Sequence, residues 1–151
     1  MDMNIVKRFG IKKFIKEIDK DIKVKFQKWD MECDVYEDTV YIGATYNKRT
    51  DVLYENFVKT LNPDCDVPVF LLSILHEIGH IMMYDEEDME EKDMIYGLLK
   101  TALDNDPSQD LEDRCVKAYF RIPLELKATQ WGIDYAMSHP DFIQKYMWLC
   151  K

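Results

Sequence analysis

The chain contains two histidines and a glutamate at a spacing that suits a metal-dependent hydrolase. His76, Glu77 and His80 stand in the segment His76-Glu77-Ile78-Gly79-His80. Residues four apart on an α-helix lie about 40° apart, so both imidazoles project from one face. There they can take two corners of a tetrahedral Zn²⁺ site. Glu77 points about 100° away, which lets it act as general base on a water at the metal without being a ligand.

The residues around this motif predict a buried helix that runs to about Tyr84. Its apolar side chains wrap nearly the whole helix: Phe70, Leu71, Leu72, Ile74, Leu75, Ile78, Ile81, Met82 and Met83. A helix that is apolar on most sides lies in the middle of a domain. Asp66, followed by Val67-Pro68, is the predicted N-cap. Unpaired polar side chains are costly in such a helix, so the histidines need a metal or, alternatively, hydrogen bonds in the core.

Catalytic zinc usually has three protein ligands, and Glu125 is the predicted third. It lies at the start of a predicted helix, on a face made of small residues: Ala128, Thr129, Gly132 and Ala136. Such a face lets this helix approach Gly79 closely. Asp134 lies nine residues later, about 180° around the helix, so it cannot share the site. His139 falls at a predicted helix start, and Cys65 has no supporting motif.

The composition describes one acidic globular domain, predicted to span residues 1–151. Hydrophobic residues make up 47% and charged residues 32% of the chain, and the net charge is −9. This balance disfavours direct binding to nucleic acid, because phosphate contacts need Lys and Arg. No apolar run is long enough to span a bilayer, and no secretory signal is visible. The four cysteines form no local pair, so we expect a cytoplasmic protein with reduced thiols.

The order of predicted elements is a helix, then strands, then many helices, which is an α+β pattern. The first helix carries an apolar stripe: Ile11, Phe14, Ile15, Ile18 and Ile22. Segments 24–29, 33–36 and 39–44 predict a small antiparallel sheet. The strand from Thr39 to Ala44 is the candidate edge for pairing with an extended substrate, and its alternative is a plain hairpin strand. Further helices are predicted over about 51–61, 110–120 and 123–137, another follows the acidic segment and runs to about Leu103, and a capping box at 138–141 opens a last one.

The motif at 76–80 resembles the signature of the gluzincin class of zinc metallopeptidases. Segment 125–132 looks like the Glu-x-x-Ala-x-x-aromatic-small pattern of that class. Among small members, the chain is most similar to the ImmA/IrrE-type peptidases. The resemblance implies a zincin-like fold, with Zn²⁺ held by His76, His80 and Glu125. It also implies cleavage of a specific protein partner, often a transcriptional repressor. Thr129 is a departure, because many relatives carry Asp or Asn there, where it orients a histidine.

The predicted function is therefore that of a zinc metallopeptidase acting on a protein or peptide, with Glu77 as the catalytic base. Two alternatives stay open: a non-catalytic, zinc-stabilised binding module, and a zinc hydrolase of a non-peptide bond. Tyr119, Tyr135 and His139 are candidates for a further donor to the developing oxyanion. The acidic run at 85–93 predicts a preference for basic substrate segments, unless it is simply a solvated face.

Overall fold

The computed structural model describes residues 3–44 and 47–151, which form an α+β fold as predicted. A first helix and a small sheet precede a helical half. The elements are α1 (Ile5–Ile18), β1 (Lys23–Gln27), β2 (Glu32–Asp34), β3 (Thr39–Gly43), α2 (Lys48–Leu61), α3 (Val69–Met82), α4 (Glu86–Asn105), α5 (Gln109–Phe120), α6 (Pro123–Ser138) and α7 (Pro140–Tyr146), followed by a 3₁₀ turn at Met147–Cys150. Within these ranges, no helix combines the length and apolar character needed to cross a membrane.

The sheet is mixed, so the prediction of an antiparallel sheet is wrong for one of its three strands. Strand order is β1-β3-β2, with β2 antiparallel and β1 parallel to β3. Asp38, at a φ of 46°, turns the chain from β2 into β3. β1 then pairs with the far side of β3, in register from Lys23 opposite Thr39. Strand propensity and alternation do not encode this non-local choice of partner and direction.

β3 lies at the centre of the described sheet, so the prediction that it forms an edge is also wrong. Four of its five residues are buried, and Val40 and Ile42 are fully so. A strand rich in β-branched residues that is covered on both faces is typical of a sheet centre. The edges are instead β1 and the short β2, whose residues are exposed or half-buried.

The core forms where α1, β3, α2, α3, α6 and α7 meet. α1 contributes Ile11, Phe14 and Ile15, which are fully buried. Ile22 is buried too, but it lies beyond the end of α1 rather than on its stripe. α2 begins at Lys48, earlier than predicted, because the Asn47 side chain caps it by accepting from two backbone N–H groups.

α3 is the buried helix that the sequence predicts, and Leu71, Ile74, Leu75 and Ile78 are fully buried. Its start differs from the prediction. The helix begins after Pro68 without a side-chain cap, while Asp66 forms an ion pair with Lys59. The last helix, α7, likewise has no side-chain cap, so no capping box forms at 138–141.

α3 and α6 pack with their backbones unusually close, as the small residues predict. A Cβ atom added to Gly79 would lie 2.6 Å from the carbonyl oxygen of Ala128. One added to Gly132 would lie 3.2 Å from Cβ of Leu75. This contact fixes the start of α6 against the middle of α3 and thereby positions the candidate site.

α4 lies on the outside of the helical half, and none of its residues is buried. The acidic run occupies its first turns. Asp85 caps the helix, and Glu86, Glu87 and Asp88 stand in the first turn, where negative charge is favoured. Asp88 pairs with Lys127 of α6, which ties α4 to the helix that carries Glu125.

Candidate metal centre

The structure brings His76, His80 and Glu125 together into a group that could hold a metal ion. One ligand atom of each lies within 4.8 Å of the others. The Nε2 atoms of His76 and His80 lie 2.7 Å and 3.2 Å from Oε2 of Glu125. The rings meet edge to face with centroids 4.6 Å apart, as expected for histidines one turn apart on α3. Glu125 stands in the first turn of α6 and is 2% exposed.

The second oxygen of Glu125 is held by two other helices. Tyr119, near the end of α5, donates its hydroxyl to Oε1 at 2.7 Å. The ammonium group of Lys92, from α4, also lies 2.7 Å from Oε1. Burial disfavours the carboxylate, but hydrogen bonds from His76 and His80 outweigh that effect and hold the pKa of Glu125 well below its usual range. Glu125 is therefore held in its ionised form, with one oxygen directed at the histidines.

Thr129 makes a contact with His76 of the kind that orients histidines in metal sites. Its Oγ1 lies 2.9 Å from Nδ1 of His76, and it is 1% exposed. With Nδ1 protonated, the ring donates to Thr129 and directs Nε2 toward the site. The hydroxyl of Tyr54, on α2, completes the contact 3.3 Å from Thr129 Oγ1 and 3.5 Å from His76 Nδ1. Thr129, which differs from the Asp or Asn of the pattern that the chain resembles, thus does not leave His76 without a partner.

Glu77 stands beside His76, His80 and Glu125 but is not part of the group that could hold a metal ion. Burial raises its pKa to about 7, against the opposing charge of His80. The repulsive charge of Glu125 adds to the rise, and a hydrogen bond with the thiol of Cys33 on β2 lowers it. For the thiol itself, burial and the nearby Glu77 carboxylate raise the pKa strongly, so it stays protonated. A carboxyl group whose pKa lies near neutrality can both accept and return a proton at neutral pH.

The donor set fits zinc. Two imidazole nitrogens and one carboxylate oxygen form a ligand set found in catalytic zinc sites. Tetrahedral ligands about 2.1 Å from zinc are about 3.4 Å apart. The observed separations between Nε2 of each histidine and Oε2 of Glu125 are 2.7 Å and 3.2 Å. To bind zinc, the carboxylate would therefore have to move away from the two imidazoles by less than about 1 Å.

Two cavities meet at this group and make it accessible. A cavity of about 320 Å³ extends toward the start of α3. A second, of about 920 Å³, runs between β2 and α4. Both are lined by His76, Glu77, Glu125 and Tyr119. The site therefore lies in an open cleft, and strand β2 forms one of its walls.

The other residues considered from sequence lie away from the group or contribute differently. Tyr135 and His139 stack on each other with centroids 4.1 Å apart at the end of α6. Cys65 is buried in the core, and Asp134 accepts from Gln130 on the exposed side of α6. None of the acidic side chains at 85–93 lines either cavity.

Sequence reasoning missed Lys92, Tyr54 and Cys33, which reach the site from three different elements. Lys92 is the single lysine among seven acids at 85–93, and such a run is typical of a solvated helix face, so the local sequence gives no sign of its contact with Glu125. Tyr54 and Cys33 resemble ordinary apolar positions of a helix and a strand, and nothing in their neighbours distinguishes them.

Comparison with known proteins adds no family or relative. No protein-family model matches the chain. No curated protein and no solved structure is similar enough to count as a match. The resemblance to zinc peptidases therefore rests on the motif residues and on the geometry described above.

Proposed function

We propose that this protein is a zinc-dependent metallopeptidase that hydrolyses a peptide bond in a specific protein partner. The supporting observation is the convergence of His76, His80 and Glu125 next to the carboxyl group of Glu77, at the meeting point of two cavities. A structural metal site has no need of an adjacent, non-ligating carboxylate. An accessible site with a poised base is what hydrolysis requires.

Zn²⁺, when bound, would polarise the substrate carbonyl and make a water more acidic. Glu77 would accept the proton of the attacking water and deliver it to the leaving amine. Thr129 and Tyr54 would keep His76 in its orientation, while Tyr119 and Lys92 hold Glu125. Tyr119 is also the one of the three donor candidates that lies at the site. The single hydroxyl proton of Tyr119 is already donated to Glu125, so the Lys92 ammonium, with three N–H donors, is the group that could stabilise an oxyanion there.

An extended substrate would pair with β2 rather than with β3. The edge of β2 that faces away from β3 has no strand partner within the described sheet. Glu32, Cys33 and Asp34 of this strand line the larger cavity. Backbone pairing at this edge would lay a peptide across the cleft. The resemblance to ImmA/IrrE-type peptidases suggests a transcriptional repressor as the partner, and four free thiols agree with a cytoplasmic location.

The test combines metal analysis with hydrolysis. We expect purified protein to hold about one equivalent of zinc and Glu125→Ala to lose most of it. Glu77→Gln should keep zinc and the fold but abolish cleavage of host proteins, as does a chelator on the wild type. Glu90→Gln, an equal change of charge at an exposed position of α4, should cleave normally. Absence of zinc would contradict the site, and cleavage by Glu77→Gln would contradict the mechanism.

A non-catalytic zinc-stabilised binding module is the second candidate. The observation that favours it is the full set of partners on Glu125, because four side chains from three helices besides its own meet at one carboxylate. Such a centre would be expected to brace the helical half. It predicts that Glu77→Gln retains the biological activity of the protein, whereas the peptidase proposal predicts its loss.

A further inference from the structure

The smaller cavity has the lining expected of a pocket for one long side chain. Its walls include Phe70 at the start of α3 and Phe120 at the end of α5, together with Met31 and Tyr54. The volume of about 320 Å³ lies at the lower end of the range for ligand sites. Because its floor includes His76 and Glu77, a side chain bound here would belong to a residue next to the bond being cleaved.

The charge of this cavity is one-sided. Four carboxylates line it, from Asp30, Asp51, Glu77 and Glu125, and its described lining includes no Lys or Arg. Glu77 and Glu125 belong to the proposed catalytic site. Asp30 and Asp51 lie outside that site and have no role in it. Their charges would repel an acidic side chain and attract a cationic one.

Asp51 is the residue whose environment favours a cationic ligand. It stands in the first turn of α2 and is half-buried. Within residues 3–44 and 47–151, its carboxylate has neither a hydrogen bond nor an ion pair. Burial raises its pKa, and no neighbouring cation in the described part of the chain opposes that rise. A half-buried carboxylate without a partner costs free energy, and a cation that enters the cavity would recover that cost.

We propose that this cavity binds a Lys or Arg side chain of the substrate, next to the scissile bond, with Asp51 as its counter-ion. The aliphatic stem would pack on Phe70 and Phe120, while the charged end reaches Asp51 and Asp30. The ring of Phe120 would also favour a cation over an uncharged side chain of equal length, whereas the ring of Phe70 already has the Lys7 ammonium 4.8 Å from its centroid. This inference deepens the proposed function and rests on it, because it makes the substrate a basic segment. The acids responsible are Asp30, in the connection between β1 and β2, and Asp51 of α2, rather than the run at 85–93.

The first measurement uses no hydrolysis. Amide chemical shifts of the zinc-loaded protein are followed by NMR during titration with N-acetyl-arginine N-methylamide. Shifts should concentrate at Asp51, Ser73 and Phe120, and the norleucine and glutamate analogues should bind at least about tenfold more weakly. Asp51→Asn should weaken arginine binding by about tenfold. Glu55→Gln, one turn further along α2, exposed and outside the cavity, should leave it unchanged.

The second measurement is the digestion of a diverse mixture of unstructured peptides, with the products identified by mass spectrometry. Cleavage should be enriched for Lys or Arg at one position beside the cut. Asp51→Asn should reduce that enrichment about tenfold, while cleavage at sites without Lys or Arg persists. Cleavage without basic preference, or equal binding of the norleucine and arginine derivatives, would overturn the inference but leave the peptidase intact. Arginine binding that depends on Asp51, without cleavage of either these peptides or host proteins, would support the pocket and contradict the peptidase.

Discussion

Replacing Thr129 by valine should weaken zinc binding while the protein remains folded. The substitution keeps the shape of the side chain and removes only the hydroxyl that lies 2.9 Å from Nδ1 of His76. Because Thr129 is 1% exposed, water cannot easily take the place of that hydroxyl. His76 then loses the contact that directs its Nε2 toward the metal.

The expected loss of zinc affinity depends on which groups still contact the His76 ring. Removing such an outer contact typically costs about 10- to 100-fold in metal affinity, or roughly 1.4–2.8 kcal/mol. Tyr54 is the one neighbour that could compensate, and its hydroxyl is 3.5 Å from Nδ1, at the limit of a hydrogen bond. We therefore expect a loss near the middle of that range. The Tyr54 hydroxyl loses a partner as well, which should lower the stability of the fold by about 1–3 kcal/mol.

The assay is a competition titration of chelator-stripped protein with zinc against a chromogenic zinc ligand, which gives Kd directly. Circular dichroism at the same temperature confirms that each variant is folded. Thr129→Ser is the matched control, because it keeps the hydroxyl and removes only a methyl group. It should bind zinc within about threefold of the wild type.

Two results would refute this reasoning. One is a Thr129→Val protein that binds zinc within twofold of the wild type, since the hydroxyl would then not orient His76. The other is a Thr129→Ser protein as weak as Thr129→Val, because the effect would then come from packing. In excess zinc, the thermal stability of Thr129→Val should rise less than that of the wild type at equal metal concentration.

Two further predictions concern the fold. Gly79→Ala should lower the free energy of unfolding by about 1–3 kcal/mol, because the added Cβ would meet the Ala128 carbonyl. Gly97→Ala is the control, on exposed α4 with open space around it, and should raise the free energy of unfolding by about 0.5–1 kcal/mol. Equal effects of the two substitutions in urea denaturation would contradict the close α3–α6 contact. The hydrogen bond from Lys145 lowers the pKa of Glu17, so the ion pair stabilises the fold above the unfolded pKa of about 4.3 and is lost as pH falls through the lower folded value. Lys145→Met should therefore cost less than about 1 kcal/mol at pH 7 and nothing at pH 2; a constant difference between those pH values would count against the pair.

The sequence predicts the parts of this molecule that depend on a single helix face. The spacing of apolar residues in α3 and of small residues in α6 predicts which face of each helix is buried. Gly79 and Gly132 lie where the two helices are in contact. That information was enough to select Glu125 over Asp134. It was not enough for the sheet, because the parallel pairing of β1 with β3 depends on residues far apart in the chain. The same limit explains why the sequence predicts an edge strand where β3 lies at the centre.

Lys92 shows why a site residue can be invisible to local patterns. Its own helix has no buried residue, and its neighbours are acids, so the local sequence indicates a solvated face. What brings it to Glu125 is the docking of α4 on α6, where Asp88 pairs with Lys127 one turn earlier on α4. Glu125 thus accepts contacts from α3, α4 and α5 at once. The arrangement couples the proposed ligand set to the packing of the helical half, so a change at the carboxylate should be felt both in zinc affinity and in the position of α4.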